Sequence, residues 1–75
     1  MVPLALMKEG SKGVVREIIG GRGAYIKLQE MGITKGKEVR VLRRAGALLV
    51  SVNGTKFVVG RGLAMKVIVD VGEEG

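Results

Sequence analysis

Glycine sets the scale of anything this chain can build. Thirteen of the 75 residues are glycine, at Gly10, Gly13, Gly20, Gly21, Gly23, Gly32, Gly36, Gly46, Gly54, Gly60, Gly62, Gly72 and Gly75. The pieces between them are short and rich in Val, Ile and Leu. Short β-branched segments closed by turn residues at such spacing predict an all-β domain. Strands are expected over residues 13–19, 38–43, 48–52, 56–59 and 64–71. A chain of this length supports one domain, spanning residues 1–75, near the lower limit for a single core. Its tail, residues 72–75, is expected to be disordered.

The stretch "LLVSVNGTKFVV" fixes one pairing in advance. Asn53-Gly54 suits the two positive φ angles of a type I′ turn. A two-residue loop then sets Val52 against Thr55, Ser51 against Lys56, Val50 against Phe57 and Leu48 against Val59. Val50, Phe57, Leu48 and Val59 share one face, and Ser51 and Lys56 share the other. The polarity sorts correctly, which supports the register. Leu49 and Val58 then fall on the outer face, opposite Val50 and Phe57.

One helix interrupts the strands. "GAYIKLQEM" places Ala24, Leu28 and Met31 on one face at helical spacing. Gly32 follows as the left-handed residue past the helix end, and Ile33 folds back onto Leu28 as in a Schellman cap. Gly36 then turns the chain into the next strand. The expected fold is mainly β: a small SH3-like barrel of about five short strands, with one short helix between the first and second. A five-stranded OB-like barrel competes but needs longer strands. The apolar "VPLALM" reads as an opening strand or a lid over the barrel, since it is too short for a signal peptide and has no basic segment before it.

The chemistry on offer is narrow. The chain has no His and no Cys, so Ser11 and Ser51 have no imidazole to activate them, and no enzyme is expected. No metal-ligating set and no cofactor site is expected either. "GGRGAYIKL" shares glycines with phosphate-binding loops but lacks their Gly-Lys-Ser/Thr ending, and it reads as a turn before the helix. Thirteen Lys and Arg against seven Asp and Glu leave a formal net charge of +6. That balance suits nucleic acid, an anionic surface or an acidic protein. Single-strand binders stack bases on several aromatic rings, whereas this chain has one Tyr and one Phe. Nucleic acid is therefore the weaker partner class.

The segments "PLALMKEGSKGVVREIIGGRGAYIKLQEMGITKGKEVRVLRR" and "VSVNGTKFVVGRGLAMKVIV" resemble the ferrous iron transport protein A family, FeoA. Leu4, Met7 and Gly10 match its opening pattern, and Gly13 and Val15 its first strand. Leu28, Met31, Gly32, Ile33 and Gly36 carry its most recognisable stretch, with Ala64, Val67 and Val69 in the closing strand. The C-terminal SH3-like domain of iron-dependent repressors is similar too. No DNA-binding helical domain precedes the match here, which favours the free-standing transport component. The resemblance implies a small cytoplasmic accessory protein of ferrous iron uptake, linked at family level to transition metal binding. Its implied partner is the membrane transporter ferrous iron transport protein B, with a cytosolic GTPase domain. Lacking His and Cys, the chain is expected to act by protein contact rather than by carrying iron.

A docking face follows from the hairpin. Leu49 and Val58 supply an apolar centre, and Arg43, Arg44 and Arg61 supply a basic rim. The alternative occupants of that face are the "VPLALM" segment and a second copy of the chain. With no thiol or imidazole to hold a structural ion, the domain is expected to fold without metal. Its thermal midpoint should be the same with and without EDTA, and a drop of many degrees on chelation would overturn this.

Overall fold

The computed structural model describes residues 1–72 of the chain. In chain order the elements are β1 (Val2–Pro3), a 3-10 turn (Leu4–Leu6), β2 (Lys12–Ile18), α1 (Arg22–Glu30), β3 (Glu38–Arg44), β4 (Ala47–Val52), β5 (Thr55–Gly60), α2 (Arg61–Ala64) and β6 (Val67–Val71). All strand pairs are antiparallel, in one six-stranded sheet of order β1-β6-β2-β3-β4-β5. Valines alternate inward along the strands: Val15 on β2, Val39 and Val41 on β3, Val50 and Val52 on β4, Val59 on β5, and Val67 and Val69 on β6. They meet Leu4, Leu28, Ile33, Leu48 and Ala64 in one core cluster. Strands from both ends of the sheet thus share a single interior, as a coiled, mainly β domain requires.

The β4–β5 hairpin has the expected register at every position. Asn53 and Gly54 take φ of 54° and 80°, the two positive angles of the type I′ turn. The helix end also forms as expected. Gly32, at φ 79°, donates its N–H to the Gln29 carbonyl at 2.9 Å, and the Ile33 N–H reaches the Leu28 carbonyl at 2.9 Å. Those two bonds define a Schellman motif. Leu28 and Ile33 are both fully buried, so the cap's apolar contact belongs to the core itself. Next, the Gly36 N–H binds the Val15 carbonyl at 2.8 Å and the Lys37 carbonyl accepts from Val15 at 2.9 Å, which ties the corner to β2.

Two parts of the chain differ from the sequence reading. The strand expected over 64–71 begins only at Val67, because residues 61–64 form the short helix α2. β6 does not lie beside β5 but pairs with β2 and β1, so the chain must cross from one edge of the sheet to the far side. One helical turn makes that crossing and buries Ala64 in the core. The second difference is at the start. Val2 and Pro3 pair with Val69 and Ile68, adding a sixth strand, and Leu4, Ala5 and Met7 enter the core. Of the expected tail, Gly72 donates its N–H to the Lys12 carbonyl at 3.0 Å, and residues 73–75 lie outside the described residues.

Gly13 has a different task from Gly32. A Cβ placed there would stand 2.5 Å from a Val69 methyl and 2.7 Å from the Asp70 carbonyl oxygen, so β2 and β6 approach only because this side chain is absent. At Gly32 the nearest atom to an added Cβ is a Val52 methyl at 3.6 Å, an ordinary contact, so its cost is conformational. Gly32→Val should therefore cost roughly 1–2 kcal/mol or more through its backbone alone. Urea denaturation checks this, and a midpoint equal to that of the parent protein would show that the cap does not limit stability.

Candidate protein-docking surface

Strand pairing builds the outer face in rows. Leu49 pairs with Val58 on one side and with Arg43 on the other, so Arg43, Leu49 and Val58 form one row across β3, β4 and β5. The next row runs Lys12, Arg40, Ser51, Lys56 across four strands. Directly paired side chains project from the same face of a sheet. An apolar row with an arginine at its end therefore lies beside a row that carries three cations. Val58 is 69% exposed, so neither the "VPLALM" segment nor any other part of the described chain covers it. Leu49 is half-buried between its neighbours.

A one-residue bulge sets which arginine joins the row. The β3–β4 register shifts between Val41 and Arg43, with Leu42 as the extra residue. Arg43 consequently opposes the outward Leu49, while Arg44 opposes the inward, fully buried Leu48. The Arg44 backbone N–H is held by Glu9 Oε2 at 2.8 Å at that end of the strand. Arg61 opens α2 directly after Gly60, which pairs with Ala47. The structure thus brings Arg43, Leu49 and Val58 together, sets Arg61 at the end of β5, and leaves Arg44 on the other side of its strand.

Charge is unevenly compensated across the sheet. Among the described residues the ion pairs are Lys12 Nζ–Glu38 Oε2 at 3.9 Å and Arg16–Asp70 at 3.2 Å, both toward β2 and β6. Arg43, Lys56 and Arg61 take part in neither. Lys12 and Arg40 stand directly opposite each other, an arrangement that costs stability between like charges. Glu38 beside Lys12 and the Gly10 carbonyl, which accepts from Arg40 Nη1 at 3.0 Å, offset part of that cost. The β4–β5 side of the face remains cationic.

Sequence reasoning missed a second apolar area. Ile19, Tyr25, Ile26 and Met65 are each more than two-fifths exposed, and Ile19 bonds through its N–H to the Lys66 carbonyl, beside Met65. A shallow cleft of ≈ 550 Å³ takes in two of these four, Tyr25 and Ile26, with Ile18, Gly21, Arg22 and Gln29. Its signal was in the helix: Ile26 and Tyr25 lie off the Ala24–Leu28–Met31 face. Among the described residues no group of three or more acidic, His or Cys side chains is placed to hold a metal, and no helix is long and apolar enough to cross a membrane.

The FeoA domain family profile matches residues 2–71. A protein of Methanocaldococcus jannaschii named "Putative Fe(2+) transport protein A" is 42% identical over 76 residues, covering 100% of this chain and 93% of the relative. The crystal structure of an iron uptake regulatory protein, FeoA, superposes with a TM-score of 0.90 at 44% identity, covering 93% of this chain and 95% of that one. FeoA of Stenotrophomonas maltophilia, solved with zinc and described as a prokaryotic SH3 domain protein, gives a TM-score of 0.75 at 27% identity over 93% of this chain and 91% of its own. T. acidophilum IdeR matches at a TM-score of 0.88 and 19% identity, a likeness of fold alone, over 95% of this chain but 34% of the repressor. The six-stranded domain is thus SH3-like, and with the profile spanning residues 2–71 and the relative aligned along the whole chain, the protein belongs to the FeoA family of ferrous iron transport accessory proteins.

Proposed function

We propose that this protein works in the cytoplasm as an adaptor of ferrous iron uptake, binding the cytosolic GTPase domain of the membrane transporter, ferrous iron transport protein B. It has no catalytic role of its own in this reading. The observation that carries the proposal is the outer face of β3–β5, where the Arg43–Leu49–Val58 row lies beside a cationic row. An apolar centre with a charged rim is the anatomy of a protein interface. The apolar part supplies most of the affinity, while the rim speeds and orients association. Nucleic acid fits this face less well. Tyr25, the exposed ring that would stack a base, belongs to the separate cleft beside Arg22 rather than to the Lys12–Arg40–Lys56 row.

The test is a charge reversal followed by stopped-flow or surface-binding kinetics against the transporter's cytosolic domain. Arg43→Glu combined with Arg44→Glu should slow association by about tenfold at low salt, with less effect at high salt, because steering by exposed charges is screened. Arg43→Glu alone should account for most of that change, since Arg44 lies on the other side of the strand. An unchanged association rate at low salt would show that the partner docks elsewhere.

A further inference from the structure

The two edges of the sheet are not equivalent. β1 is two residues long and carries Pro3, which has no N–H to offer, so that edge is blunted. β5 is six residues long and, among the described residues, pairs only with β4. In a hairpin closed by a two-residue loop, Val52 and Thr55 form a hydrogen-bonded pair, as do Val50 with Phe57 and Leu48 with Val59. The N–H and C=O groups of Lys56 and Val58, and the N–H of Gly60, therefore point away from β4, while the Gly60 carbonyl starts α2. Among the described residues, no turn, loop or cap backbone hydrogen bond involves residues 55–59. Beside that edge lie Val58 at 69% exposure, the cations Lys56 and Arg43 on the same face, and Arg61 at its end.

We infer that the β5 edge is a strand-addition site that takes an extended, acidic segment of the protein partner. This rests on the adaptor reading above and specifies how the partner binds. Main-chain bonds from Lys56, Val58 and Gly60 supply the alignment. Alternate side chains of the added strand then fall beside Val58 and reach Lys56, Arg43 and Arg61, and carboxylates are the groups those cations select. A second copy of this chain is the poorer occupant. Two copies bring +6 against +6, and antiparallel pairing centred on Val58 sets Lys56 of each copy opposite Gly60 of the other, one residue from Arg61.

Val58→Pro tests the edge directly. It removes an outward N–H while leaving the β4 ladder its own bonds, since Val58 belongs to a non-hydrogen-bonded pair. Binding of the transporter's cytosolic domain should weaken by about tenfold or more, with the thermal unfolding transition retained. In the parent protein, hydrogen exchange at Lys56, Val58 and Gly60 should slow on adding that domain. If Val58→Pro does not fold, Gly60→Pro replaces it: Gly60 already holds φ −63°, proline's own angle, with nothing within 4 Å of an added Cβ. A proline variant that folds and binds like the parent overturns strand addition and leaves the adaptor reading standing. Failure of the parent itself to bind overturns both. Dimers of the free protein with these amides already protected would give the edge to a second copy, and overturn the inference as well.

Discussion

The domain depends on the turn that ends its helix. At that point three demands meet within six residues. The helix must stop, its last carbonyls must find donors, and the chain must reverse into β3. Gly32 at positive φ satisfies the first two, and the buried Leu28–Ile33 contact beneath it makes the turn part of the core. In so small a protein, with no disulfide to restrain the unfolded chain, losing a side chain such as Leu28 to Ala would remove about 2–5 kcal/mol, a large share of any plausible total stability. The bonds between Val15, Gly36 and Lys37 then fix where β3 begins against β2. Everything on the outer face inherits that register.

The outer face shows how backbone pairing can assemble a surface that the sequence scatters. Lys12, Arg40 and Lys56 are far apart in the chain and unremarkable singly. Two strand registers line them up, and a bulge at Leu42 turns Arg43 toward Leu49 instead of toward the interior. Among the described residues, carboxylates pair with cations on β2 but with none on β5. This asymmetry gives the molecule a direction: one side of the sheet is electrostatically settled, while the other holds unbalanced positive charge around a hydrophobic strip.

Much of this was legible in advance where short-range chemistry decides the structure. Asn53-Gly54 and the alternation of Ser51 and Lys56 with Val50 and Phe57 identify a single register, and the helix end follows from Gly32 and Ile33. The misses have long-range causes. β1 is too short to carry a pattern and exists because Val69 and Ile68 are there to pair with it. Residues 64–66 look like the start of a strand, yet Ala64 closes the helical turn that crosses the sheet and the strand begins only at Val67. The bulge at Leu42 that turns Arg43 rather than Arg44 outward has no glycine or proline to announce it. Leu49 and Val58 could thus be placed from the sequence, whereas the fates of the two arginines could not. The cleft beside Tyr25 was hidden for a related reason: its walls come from β2 and α1, and only their packing shows that Ile18 and Ile26 face a common space.

The pairing of the first strand with the last has a consequence for how the molecule is made. β3, β4 and β5 are neighbours in sequence and can zip together early as a local meander. β2 lacks β6, and Leu4 has no finished interior to enter, until Val67–Val71 has joined the sheet. Until then the folding chain holds a half-sheet whose valine-rich face is open to water. Completion is a late, single event that joins residues from the two ends of the chain, and contacts so distant in sequence are slow to close. A substitution that weakens the β2–β6 pairing would lengthen the life of that exposed half-sheet, and with it the opportunity for aggregation.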